Sequence, residues 1–402
     1  MVRNSLSWEE LEAQAPSEPD RVNGPTSSQA CLRLFGASES AVRVTLYRDN
    51  HAWCPYCQKV WLWLEEKRIP YRVKKVSMRC YGEKESWYTQ RVPSGMLPAL
   101  ELDGRLITES DAILLALEAA FGALGASLEH PEVKPIRRLE RRFFRAWCHW
   151  LCSAHATLAD EQLAQQQFER MACAVEEALQ LSDGPFFLPV FSAADGIFVP
   201  FMERANASLY AYKGYDLRQR HPAIDAWFRA LEQRPTYLGT QSDFHTHVHD
   251  LPPQMGACHP SGDAGQRACW QRVAVGAAPG ETSLQEPPGA VQEALGRVLK
   301  HRRAIVQVNP FRDDGFELAL RCALGNLLAP QALSVPPAGS AAGLRHLRER
   351  ISVPRDMGLH AARRLRQALE STAALDGQQE AGPIPTRHRH DQDPRPFREA
   401  PV

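Results

Sequence analysis

Apolar and polar positions change rhythm along this chain, and the changes mark its elements. Residues 42–47, Val-Arg-Val-Thr-Leu-Tyr, alternate as a half-buried strand does. Residues 55–67 carry apolar side chains at helical spacing, and residues 71–76 alternate again. A less regular segment, 77–92, leads to Pro93-Ser-Gly-Met-Leu97-Pro98-Ala-Leu-Glu-Leu102, whose second half predicts a third strand. Asp103-Gly104 is a hairpin turn signal, which makes residues 105–108 the returning strand. Glu109-Ser110-Asp111 then opens a helix reaching about Phe121.

After a linker near residues 125–131 the rhythm is helical, through 136–156 and 160–181. Gly184-Pro-Phe-Phe-Leu-Pro189 reads as a loop, and Ser192-Ala-Ala-Asp195 as a capping box before a helix over 195–212. Another helix is predicted over 222–233. Residues 241–290 are rich in Gly, Pro and His with little periodicity, and predict long loops or an extended wrap. Helical segments follow at 290–305 and 314–328, then a Pro/Gly/Ala linker over 330–343, a helix over 363–372 and a polar tail. Four regions result: a Ser/Pro-rich lead-in (1–38), an α/β domain (39–124), an all-α domain (131–240) and a mostly helical and loop extension (241–402). Within the lead-in, Ser7-Trp-Glu-Glu10 predicts one short capped helix.

Composition narrows the function classes. Lys+Arg and Asp+Glu number 47 each among 402 residues, so no nucleic-acid or other polyanion partner is implied. No window approaches the ~18 uninterrupted apolar residues of a membrane span. The N-terminus lacks an apolar signal core, and Glu9, Glu10 and Glu12 are unlike a transit peptide. The cytoplasm is the expected location, with a plastid form trimmed of its leader still open. Ten cysteines scattered over a long chain predict reduced thiols rather than a disulfide scaffold.

The chemistry concentrates in His51-Ala-Trp-Cys54-Pro-Tyr-Cys57. Cys54 stands where a strand gives way to a helix, facing unpaired backbone amides that favour an anion. The thiolate is the nucleophilic form of cysteine. Pro55 suits the first helical turn. Zinc would need a second ligand pair, and none sits at a convincing spacing, so Cys-x-x-Cys reads here as a redox motif. With it, the order βαβαββα is that of a thioredoxin-like domain. A second candidate, His245-Thr-His247-Val-His249-Asp250 with Cys258-His259 nearby, would present three imidazoles on one face if extended. Polar anchoring is the stronger reading there and at His388-Arg-His390-Asp391, so no metal is assigned.

Cys-Pro-Tyr-Cys, Met96-Leu97-Pro98, Glu109-Ser110 and Ser192-x-x-Asp195 ahead of an all-helical domain together resemble the glutathione S-transferase family. The likeness covers about residues 40–238 and is to its cysteine-type members (omega, lambda and dehydroascorbate-reductase-like). The long C-terminal segment is similar to the iota class. The resemblance implies glutathione as co-substrate, a small oxidised or electrophilic second substrate, and Cys54 as catalytic thiol. A homodimer is compatible with it. It further implies that Leu97, before a cis-Pro98, bonds the cysteinyl backbone of glutathione. Glu109 and Ser110 would hold the γ-glutamyl end, Ser110 serving alternatively as a helix cap. Cys57 either resolves a mixed disulfide or is a buried structural thiol. Lys59 and Lys84 are weaker candidates for the glycyl carboxylate, solvated lysines being the competing reading. Trp147, His149 and Trp150 either line a co-substrate pocket or belong to the core. The implied activity is thiol transfer or reduction through a Cys54–glutathione mixed disulfide. A glutathione-independent dithiol oxidoreductase and a non-enzymatic binding module are the alternatives.

Overall fold

The Ser7 hydroxyl accepts a hydrogen bond from the Glu10 amide, and the Glu10 carboxylate accepts one from the Ser7 amide, so the predicted capping box starts α1 (Trp8–Glu12). The structure is a computed structural model that describes residues 5–274, 276, 278, 279, 286 and 288–376. The chain forms two compact units, Asp20–Val273 and the joined ends Met1–Pro19 with Ala274–Val402.

The first of these units contains a five-stranded sheet in the order β1-β3-β2-β4-β5. Its strands are β1 (Leu32–Arg33), β2 (Val44–Asp49), β3 (Tyr71–Val76), β4 (Ala99–Leu102) and β5 (Arg105–Thr108). β2 and β3 run parallel, joined through α2 (Pro55–Glu66), and β4 and β5 form the antiparallel hairpin, turning at Asp103 and Gly104 with φ of 51° and 80°. This is the expected thioredoxin-like plan. β1 is an addition to it. The lead-in supplies an antiparallel edge strand beside β3, held by a buried Arg33–Glu65 ion pair at 2.9 Å. Nothing in a two-residue strand could announce itself by alternation. The irregular segment also hides a short helix, α3 (Ser86–Arg91), before α4 (Ser110–Phe121) closes the α/β part.

Seven helices follow in the same unit up to residue 255: α5 (Val133–Cys152), α6 (Leu158–Gln180), α7 (Ala193–Lys213), α8 (Leu217–Arg220), α9 (Pro222–Leu231), α10 (Pro235–Thr240) and α11 (Phe244–Met255). α7 is buried along its whole length and packs on α2, α5 and α11. Its start is the predicted box: Asp195 accepts from the amides of Ser192 and Phe187 and from Trp227 Nε1. Its end is Gly214, at φ 64°, where a Cβ would stand 3.0 Å from the Gln266 amide nitrogen. Only glycine meets both demands.

α11 and α12 (Ala264–Ala274) correct the expectation of loops over 241–290. Pro252 and Pro253 hid α11 from a reading of the sequence, since proline lacks the amide that would bond the carbonyl four residues back. For Pro252 that carbonyl is Val248 O, and the Tyr212 hydroxyl donates to it at 2.7 Å. A partner distant in sequence thus makes the helix tolerable.

The other unit is helical: α1 with α13 (Ala290–Val308), α14 (Glu317–Leu328), α15 (Ala341–Arg350) and α16 (Leu359–Ala374). Leu11, Leu295, Leu320, Leu324, Leu344 and Leu369 share its apolar core. Trp8 Nε1 donates to Glu317 at 2.8 Å and Arg321 to Leu6 O at 3.0 Å. The first residues described are therefore not a separate lead-in; they complete the C-terminal bundle. α15 begins inside the segment expected as linker, because its apolar face is recognisable only once α16 lies against it. No helix among the described residues is long and apolar enough to cross a membrane.

Candidate active site

Cys54 is the N-cap of α2, with Pro55 in the first turn, as the motif predicts. It is 8% exposed, against 1% for Cys57 one turn further in. Cys54 Sγ reaches Leu97 O at 4.0 Å, and the Leu97–Pro98 peptide is cis. Tyr88 donates to Met96 O at 2.5 Å, pinning the residue before Leu97. The two sequence motifs, 43 residues apart, therefore meet.

Burial and the neighbouring Cys54 sulfur push the Cys57 thiol well up, so at neutral pH it is protonated. Asp49, which closes β2, is fully buried and accepts from the Trp53 amide at 2.6 Å. Its carboxylate, Cys54 Sγ and Cys57 Sγ all lie within 4.8 Å of one another. Among the described residues Asp49 Oδ1 has no hydrogen-bond partner. This carboxylate went unnoticed in the sequence. Its signal was an acid terminating an apolar strand five residues before a thiol.

A second missed group holds the loop before Cys54. Arg204, buried on α7, donates to Trp53 O at 2.5 Å, Gln58 Oε1 at 2.8 Å and Pro200 O at 2.7 Å. Gln58 Nε2 donates in turn to Glu203 at 2.6 Å. The backbone carbonyl adjoining the thiol is thus tied to the central helix through charge-assisted bonds.

Glu109 occupies the N-cap of α4 at φ 66°, and Ser110 is the first helical residue. The reading of Ser110 as the cap is corrected accordingly. A non-glycine residue at that φ costs of order 1–3 kcal/mol, which the surroundings must supply. The Glu109 side chain makes no cap bond, while Ser110 is buried. Lys59 is not solvated: it is buried, with burial pulling its ammonium down, and bonds Asp111 at 2.7 Å. Asp111 lies 3.6 Å from Arg137 as well. Lys84, half-buried, donates to Ser77 O at 3.0 Å. Trp147 and Trp150 are core, and Trp147 Nε1 donates to Ser208 at 3.0 Å; His149 is paired with Ser153 at 3.3 Å.

The histidine run does not form one face of an extended segment. It sits on α11, where His245 and His249 stack at 4.5 Å and His247 turns away, 3.9 Å from Asp250. His388, His390 and Asp391 lie outside the described residues.

Residues 53–120 match the family model for the glutathione S-transferase N-terminal domain, and residues 142–240 that for its C-terminal domain. Within residues 53–240, this chain therefore carries both glutathione S-transferase domains. Glutathione S-transferase L3 of Arabidopsis thaliana is 28% identical over 192 residues, 47% of this chain and 79% of that one. Glutathione S-transferase DHAR2 of the same plant is 26% identical over 190 residues, 47% of this chain and 84% of its own. Among solved structures, glutathione transferase Omega 3C from Trametes versicolor is 22% identical with a TM-score of 0.43, covering 60% of this chain and 98% of that one. The transferase match ends at residue 240, so the helical unit built from the chain's two ends stands outside it.

Proposed function

We propose that this transferase is a glutathione-dependent thiol reductase working through Cys54 alone. The observation that carries the reading is the division of labour in the motif. Cys54 caps the helix beside Leu97 O, whereas Cys57 is sealed and held protonated behind it. Glutathione is the co-substrate, its cysteinyl backbone aligned on Leu97 in the manner of an added strand and its γ-glutamyl end at Glu109 and Ser110. The Cys54 thiolate attacks the glutathionyl sulfur of a mixed disulfide, forming Cys54–S–SG and expelling the second thiolate. A glutathione thiolate then attacks that bond, giving glutathione disulfide and restoring Cys54. Glutathionyl-quinone adducts are attacked at the same glutathionyl sulfur, whereas dehydroascorbate takes the thiolate at a carbonyl carbon and is released as ascorbate when a glutathione thiol attacks the Cys54 sulfur to give Cys54–S–SG. Two curated relatives, L3 and DHAR2, support the cysteine-type assignment.

Hydroxyethyl disulfide reduction by wild type, Cys54→Ser and Cys57→Ser tests this. Activity lost in Cys54→Ser and kept in Cys57→Ser is the expected result. Loss in both supports the glutathione-independent dithiol reading, and a folded but inactive wild type overturns the reductase assignment.

A further inference from the structure

Three other cysteines meet far along the chain from Cys54. Cys148 and Cys152 lie one turn apart on α5, Cys152 being its last residue. Cys258 arrives on the segment between α11 and α12, locked in place by the His259 amide, which donates to Leu151 O at 2.9 Å. That backbone bond sets residues 258 and 152 side by side. Cys148, four residues back on the same helix, and Cys258, placed by that bond, are thus the two thiols beside Cys152. All three are partly accessible. Nearby, Lys213 is fixed by Glu161 at 2.7 Å, and Ser261 bonds the same carboxylate at 2.7 Å, so a cation is held beside the cluster.

The charge balance identifies the reactive member. A helix C-terminus disfavours an anion. Yet the neighbouring Cys148 and Cys258 thiols, with Lys213 nearby, pull the Cys152 thiol down to about 4. Cys148 and Cys258 are pushed up by the neighbouring Cys152 and by burial. One thiolate is thus flanked by two protonated thiols.

We infer that Cys148, Cys152 and Cys258 form a second thiol centre, in which Cys152 is the site of attack on a low-molecular-weight disulfide and Cys258 the resolving thiol. The Cys152 thiolate displaces one glutathione thiolate from glutathione disulfide and becomes Cys152–S–SG. Cys258 passes its proton to a released glutathione thiolate, attacks Cys152 Sγ and expels the second glutathione. The balance is two thiols plus glutathione disulfide going to one protein disulfide plus two glutathiones. Cys258 is the resolver rather than Cys148 for a geometric reason. Helical residues four apart hold their Cβ atoms about 5–6 Å apart, beyond the roughly 3.5–4.5 Å of a disulfide, and the helix fixes that separation. Cys258 lies between α11 and α12, so no helical spacing separates it from Cys152. Nothing in this centre draws on the Cys54 reaction.

Peptide-mapped mass spectrometry of the full chain, titrated with glutathione disulfide and quenched with an alkylating agent, tests the inference. Cys31 and Cys173 are exposed and serve as internal controls. A Cys152–Cys258 linked peptide is expected to reach half-formation at a disulfide concentration at least about tenfold below that modifying either control. Modification of Cys31 or Cys173 first, or no linked peptide, overturns it. In Cys258→Ser the Cys152–glutathione adduct should accumulate instead, and its failure to do so also overturns the assignment. The comparison with Cys31 and Cys173 is made within the unmutated chain and does not depend on how the variant folds.

Discussion

Cys54 precedes a helix and Cys152 ends one, and that opposition separates two ways of preparing a thiol. At Cys54 the supply is local: unpaired amides of α2, a proline in the first turn, and a neighbour three residues on. At Cys152 the helix end works against an anion; Cys148 on the same helix supports it, but the other support, from Cys258 and Lys213, comes from 106 and 61 residues away in sequence. Chemistry built from adjacent residues leaves a motif. Chemistry assembled across helices leaves none.

The sharpest way to break the contrast is Cys54→Ser, which should lower disulfide reduction by at least about 10³-fold in a steady-state assay, as loss of a covalent nucleophile does. The same substitution should leave the Cys152–Cys258 linkage unchanged; a shared loss would mean a single centre. Next in size is Arg204→Met. It strips donors from Trp53 O and Gln58 inside the core, so a stability loss of about 3 kcal/mol is expected in urea melts, with a smaller kcat for the folded fraction. Unchanged stability and rate would show that the α7 anchor does not position the motif. Asp195→Ala removes the α7 box and deprives Trp227 Nε1 and two amides of their acceptor, for about 2–3 kcal/mol. A loss under 1 kcal/mol would mean the cap is redundant.

Smaller effects sharpen the comparison. Cys57→Ser should change the reductase rate by less than about threefold, since a thiol held protonated and sealed from solvent is not needed when glutathione completes the cycle. Cys152 offers a pH test of the opposite sign. A thiol whose pKa is lowered to about 4 stays ionised as pH falls from about 7.5 to about 5.5, so its iodoacetamide alkylation should fall less than about threefold. An unperturbed thiol, with pKa near 8.5, would lose about 100-fold over that interval.

Read alone, the sequence determined what periodicity and adjacent residues can encode: strands at 71–76 and 105–108, the Asp103-Gly104 turn, both capping boxes, the helix at Pro55 and the pairing of a redox motif with a transferase plan. Residues near one another in sequence share a fixed geometry, so their spacing is already a structure. Tertiary structure alone decided the rest. It folded Phe244–Met255 as a helix despite two prolines, because Tyr212 meets a freed carbonyl. It joined Leu6 and Leu11 to a core more than 280 residues downstream. It put Asp49 and Arg204 behind Cys54 and Cys258 beside Cys152. In each case the deciding partner is remote in sequence: a buried polar group must find its match wherever the packed chain brings one, and no local pattern records which it will be.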